Sequence, residues 1–136
     1  MNTQAQYHSL SGKVIFITGG ASGIGRAMVE SFVKQQAKVA FIDIDDEAAQ
    51  ALISDLPDAN LWYRQVDVTD SNALQKSLVD ACAALGSVNV LVNNVANDRR
   101  QASEDVTVKD WDQCLQINLN PAFFASQVAM SFMQQE

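Results

Sequence analysis

The octapeptide Thr18-Gly19-Gly20-Ala21-Ser22-Gly23-Ile24-Gly25 combines residue types that can bring bare main chain up to an anion. Glycines leave backbone N–H groups unshielded, and a helix starting within the run would add the positive end of its dipole. In this reading Gly19 makes a sharp turn, Gly23 lets a pyrophosphate approach the backbone, and Gly25 lets the helix pack closely on its sheet. Amides around residues 19 to 25 would then seat a diphosphate. Asp43 lies eighteen residues beyond Gly25, near the spacing at which a carboxylate accepts hydrogen bonds from an adenosine ribose. Its charge would repel a 2′-phosphate, which favours NAD over NADP. No basic residue stands at positions 20 to 22 to read such a phosphate, although Arg26 follows closely. Gly19, Ala21, Ser22, Gly23, Ile24 and Gly25, with Asp43 and Ile44, are the first cofactor-binding candidates. The competing role for Asp43 is a helix cap, which Asp45 or Asp46 would fill as well.

The elements that must hold these residues follow from hydrophobic patterning. Val14-Ile15-Phe16-Ile17 is continuous and β-branched, as in a parallel strand buried on both faces. Ala27, Met28, Phe32 and Val33 then recur at helical spacing. The pattern repeats with strand 38–43 and helix 47–56, then strand 61–66 and helix 71–85. Asp67 ends the third strand, where it meets either solvent or an adenine edge; Thr69 or Asp70 caps the helix that follows. A fourth strand, 88–92, leads into Asn93-Asn94-Val95-Ala96-Asn97. Adjacent amides behind a buried strand need hydrogen-bond partners, and they suit a role in pinning one strand end to its neighbour. The expected architecture is an α/β, Rossmann-type doubly wound parallel sheet of about four strands in the order 3-2-1-4. Residues 1–10 are expected as a flexible tail and 11–136 as one dinucleotide-binding half-domain.

These motifs together resemble the N-terminal half of the short-chain dehydrogenase/reductase family. The family's Thr-Gly-x-x-x-Gly-x-Gly corresponds to Thr18 to Gly25, its acidic strand-two end to Asp43, and its Asp-Val to Asp67-Val68. Its Asn-Asn-Ala-Gly corresponds to Asn93-Asn94-Val95-Ala96, with Val95 and Ala96 as departures that keep small apolar side chains against a cofactor. The resemblance implies that Asp67, Val68, Asn94, Val95 and Ala96 line the cofactor. It also implies that Asn118 occupies a proton-relay position, holding a water that links a catalytic Lys to solvent. The stretch Asn94 to Arg100, with Trp111-Asp112 and Asn118-Leu119 following, is similar to the branch that oxidises free sugars such as xylose, galactose or fucose, and Asn97-Asp98-Arg99 would lie on the active-site rim. The family's chemistry further needs a Ser and a Tyr-x-x-x-Lys. Neither tyrosine here fits that pattern, because Tyr7 is followed four places on by Ser11, and Tyr63 by Asp67. The resemblance thus implies an NAD-dependent oxidoreductase on alcohols, present as a truncated half that is inactive alone. The alternatives are a non-catalytic nucleotide-binding or assembly remnant and a methyltransferase using S-adenosylmethionine.

Bulk properties narrow the partners. A net charge of −7 disfavours nucleic acid and anionic membranes. The polar N-terminal segment lacks the form of a secretory signal, which points to the cytoplasm. Cys82 and Cys114 are expected as small buried hydrophobes, Trp62 and Trp111 as packing residues, and no metal site is expected. Strand four would be an apolar open edge, and helix 122–136 carries more apolar surface than half a sheet covers. Homo-oligomerisation is the expected remedy.

Overall fold

A computed structural model describes residues 5–134. Its core is a four-stranded parallel sheet built from β1 (Val14–Thr18), β2 (Lys38–Asp43), β3 (Leu61–Gln65) and β4 (Val90–Val92), in the order β3-β2-β1-β4. Helices α1 (Gly23–Lys34), α2 (Asp46–Asp55) and α3 (Ser71–Leu85) connect successive strands. Two further helices follow β4, namely α4 (Val108–Asn118) and α5 (Asn120–Met133). The order and the strand–helix alternation match the sequence reading, including the reversal of strand order between β1 and β4, which run parallel.

Strand periodicity divides the interior into two layers. Ile15, Ile17, Val39 and Phe41 point to one face and join Val29 of α1 and Leu52 of α2. Phe16, Ala40 and Ile42 point to the other and join Leu74 and Leu78 of α3, with Ala125 and Ala129 of α5. All five residues of β1 are buried, which is why its sequence shows no polar alternation. Each large aliphatic or aromatic side chain in these layers contributes about 1.5–3 kcal/mol of burial free energy.

β4 is shorter than expected, running from 90 rather than 88. Asn89 instead pairs with Val14 on both sides: its main-chain N–H donates to Val14 O, and its Oδ1 accepts from Val14 N–H. As expected, β4 is an edge strand, and its three residues are only half-buried.

The segment after β4 departs further from expectation. The last helix begins at Asn120 rather than Ala122, with Pro121 in its first turn, where the missing N–H costs nothing. Its expected extension to Glu136 runs past the described residues. α4 has no buried residue at all. Cys114, expected to be buried, is exposed. Trp111, expected to pack, is 59% exposed. Both follow from one cause: the apolar stripe of α4 has the right period, but nothing in the described chain covers its outer side. Trp62 and Cys82 do pack, and the guanidinium of Arg64 lies 5.0 Å from the Trp62 ring centre.

Residues 5–10 belong to the segment expected as a tail and make defined contacts. Tyr7 N–H donates to Gln35 Oε1 at 2.7 Å, and Gln35 Nε2 donates to Ala5 O at 3.0 Å. Among the described residues, no helix is long and apolar enough to cross a membrane, and no cluster of His, Cys, Asp and Glu could hold a metal ion.

Candidate dinucleotide cleft

The carboxyl ends of β1, β2 and β4 surround a cleft of about 630 Å³ at the point where the sheet order reverses. How the chain leaves β1 determines its floor. Gly19 turns with φ +69°, and Gly23 opens α1 with φ +55°, both in the left-handed region that side chains disfavour. A β-carbon on Gly25 would collide with Gly19 O and stand 2.7 Å from Asn94 Nδ2. Gly25 is therefore required for packing of the helix start on the turn itself, rather than on the sheet as expected.

The amides of this turn divide into two groups, which corrects the expectation that those around 19 to 25 act together. Gly19 and Gly20 N–H both donate to Ile42 O, at 2.8 and 3.2 Å. Ala21 N–H donates to Asp43 Oδ2 at 2.9 Å. These three are committed inside the protein. Ser22 caps α1 without a side-chain hydrogen bond, and the first internal bond of the helix runs from Arg26 N–H to Ser22 O. Among the described residues, no acceptor meets the amides of Ser22, Gly23, Ile24 or Gly25. These are the orphan donors of a helix start, with the dipole behind them. The anion seat is thus narrower than the glycine run, spanning 22 to 25.

Asp43 lines the cleft and braces it as well. Besides Ala21 N–H, it accepts Asp45 N–H on Oδ1 at 3.0 Å, and each oxygen keeps a second lone pair for a ligand hydroxyl. It does not cap α2, because Asp45 does so through Ala48 N–H. Arg26 is turned to the outside, bonded to Glu30 at 2.9 Å and Asp55 at 2.6 Å.

The opposite wall comes from β4. Thr18, 2% exposed, accepts the N–H groups of Asn94 and Val95 on its hydroxyl, at 3.0 and 3.2 Å. Asn94 Nδ2 returns two bonds, to Thr18 O and Gly19 O, both at 3.0 Å. Asn94 thus pins the two strand ends as expected, whereas Asn93 reaches Ser126 on α5 instead.

Of the residues assigned from sequence, Gly19, Ser22, Ile24, Gly25, Asp43, Ile44, Asp67, Val68, Asn94, Val95 and Ala96 line this one cleft. Ala21 and Gly23 do not: the first is buried under the turn, and the second shapes it. Val66, Thr69 and Ile117 line it without having been assigned, and Asn97 joins them from the expected rim. Thr69, one of two expected caps, donates its N–H and its hydroxyl to Asp67 Oδ1, and Asp70 caps α3.

Asn118 lies just outside, at the end of α4. Its Oδ1 accepts Asn97 N–H at 2.8 Å, and its Nδ2 donates to Asn97 O and to Cys114 O. The side chain therefore clamps the loop after β4.

Tyr63 cannot stand in for a catalytic tyrosine. Burial, a hydrogen bond to Asp46 and the negative charges of Asp43 and Asp45 push its phenol well above the ordinary value. A proton-exchanging tyrosine needs the opposite shift.

Comparison with known proteins accords with this geometry. Residues 13–136 match the family model described as short chain dehydrogenase. The chain belongs to that family. It is 41% identical, over 97% of its length, to a probable galactose dehydrogenase of Rhizobium meliloti, of which it covers 53%. It is 37% identical to a D-xylose 1-dehydrogenase of Caulobacter vibrioides, covering 52% of that protein. A solved short-chain dehydrogenase/reductase from Serratia marcescens superposes with TM-score 0.87 at 32% identity, over 93% of this chain and 53% of that one. The chain thus spans about half the length of the curated relatives it matches.

Proposed function

We propose that this chain is the dinucleotide-binding half of an NAD-dependent oxidoreductase whose substrate is an alcohol, with a free sugar as the favoured class. The observation that carries the cofactor reading is the junction of β1, α1 and β2. Ser22, Ile24 and Gly25, whose amides meet no acceptor among the described residues, line the same cleft as the Asp43 carboxylate. The residues fit the group: an anion-seeking helix start for the diphosphate, and a hydroxyl-accepting carboxylate for a ribose. The bound nicotinamide would supply the hydride acceptor. The protein's own part is to seat the diphosphate, orient the ribose, and present the 94–97 wall.

Preference for NAD over NADP rests on two features. A 2′-phosphate beside Asp43 would meet a like charge, and Arg26, the basic residue that follows the glycine run, is held by Glu30 and Asp55. Isothermal titration should give NAD at least about tenfold tighter binding than NADP, a difference of about 1.4 kcal/mol. Equal affinity would overturn the preference, and no binding of either would overturn the cofactor reading. The sugar class rests on the dehydrogenases of galactose and xylose among the relatives.

The 136 residues contain no Tyr-x-x-x-Lys. Loss of a general acid–base alone lowers rates by about 10²–10⁴-fold. Purified chain mixed with NAD and galactose is therefore expected to give no rise in NADH absorbance. Self-association belongs to the same reading, since β4 offers an open edge and Phe123 and Met130 of α5 are more than half exposed. Light scattering should report a species larger than a monomer, and a monomer at micromolar concentration would count against it.

A further inference from the structure

A second cleft, of about 260 Å³, opens between α4 and the loop that follows β4, and it meets the dinucleotide cleft at Asn97 and Ile117. We propose that it is a carbohydrate subsite, in which Trp111 takes the C–H face of a sugar ring while Arg99, Gln101 and Gln113 bond its hydroxyls. The proposal rests on the reading of the chain as part of a dehydrogenase with a hydroxyl-rich substrate.

Three observations support it. The first is the lining. Indole, guanidinium and primary amides are what a polyol needs, because each hydroxyl both donates and accepts while the ring carbons present an apolar face. The volume is close to the lower end of small-molecule pockets, about 300 Å³. The second is the state of the arginines. The chain has four, and Arg26 and Arg64 are each held by a carboxylate at 2.6 Å. Arg99 lines the cleft and makes no salt bridge among the described residues, so its planar set of donors remains for a ligand. The third is rigidity. Asn118 clamps the main chain of Asn97, and Asn97 Oδ1 accepts Arg99 N–H at 3.0 Å. Gln101 Nε2 donates to Asp105 O at 2.8 Å and to Asp110 Oδ2 at 3.3 Å, and its Oε1 keeps its acceptor capacity. A loop pinned at three successive odd positions loses little freedom when a ligand arrives.

The two tryptophans make the test direct. In the ¹⁵N–¹H spectrum of the full chain, the two indole signals are assigned with Trp111→Phe, and D-galactose is titrated to about 100 mM, well above a millimolar Kd. The expected result is a saturable shift of the Trp111 signal with Trp62 unmoved. Arg99→Ala should weaken that response about tenfold or more. Arg99→Lys, which keeps the charge without the fork, should fall between. An unmoved Trp111 signal, or an unchanged response in Arg99→Ala, overturns the subsite. So does a Trp111 signal that moves with protein concentration alone, which would mark the face as a contact between copies. NAD is titrated in parallel and read at the amides of Gly23 and Ile24. Loss of those shifts overturns the dinucleotide reading, whereas their persistence beside a silent Trp111 overturns only the subsite.

Discussion

The two ends of the cleft are held in different ways. At the glycine turn, main-chain carbonyls, a hydroxyl and one carboxylate hold the strand ends together: Ile42 O takes two amides, Asp43 a third, and Thr18 two more from the opposite wall. Around α4 nothing is buried, and the loop ahead of it is held by side chains reaching back to the backbone, chiefly Asn118. The first region is pre-organised by hydrogen bonds from main-chain amides between the strand ends. The second is a surface braced from within, with its outer side open. On the proposed reading, the first region would hold the dinucleotide and the second would meet the substrate.

Substitutions that separate the two regions should differ in size. The largest effect is expected at Gly25→Val, where new atoms would meet Gly19 O and the Asn94 amide. Overpacking there should cost about 3 kcal/mol or unfold the chain, read as a fall in the urea midpoint. Thr18→Val keeps the shape but leaves the amides of Asn94 and Val95 without their acceptor; a loss of about 2 kcal/mol is expected, with faster hydrogen exchange at those two amides. Asp43→Ala should weaken NAD binding and also cost about 1 kcal/mol of stability in the absence of cofactor, because Ala21 N–H loses its partner. A binding defect with unchanged stability would show that the carboxylate serves only the ligand.

The smallest effect lies at the other end. Asp110 closes a capping box with Thr107, and the hydrogen bonds from Thr107 and Gln101 lower its carboxyl below the ordinary 3.8. A carboxyl lowered on folding stabilises the folded state above its unfolded value, and that contribution is lost as pH falls through the folded one. Acidification below 3.8 should therefore fray the first turn of α4 before the sheet opens, and Asp110→Asn should make α4 helicity insensitive to pH in that range. If the glycine turn and α4 respond together, the two regions are not independent.

The sequence displayed the first region better than the second for physical reasons. A strand buried on both faces must be continuously apolar, and a turn with positive φ must use glycine, so Val14 to Gly25 could mean little else. Partition of the amides was not legible, because it depends on Ile42 O standing close enough to take two donors across the sheet. In α4 the apolar period at Val108, Trp111 and Leu115 is the same whether or not a partner covers it. The expected burial of Cys114 rests on a helical pattern, which fixes a face without fixing what lies on it, and the expected packing of Trp111 on its large apolar ring alone. Ile117 escaped notice beside Asn118 because a single aliphatic residue in a helix carries no mark of lining a cleft.

The bonds between Gln35 and the segment at Ala5 and Tyr7 have a practical consequence. Gln35 ends α1, whose other end opens on the cleft, and twelve helical residues at about 1.5 Å each separate the two by about 18 Å. A label attached at Tyr7 would therefore sit about a helix length away from the cleft.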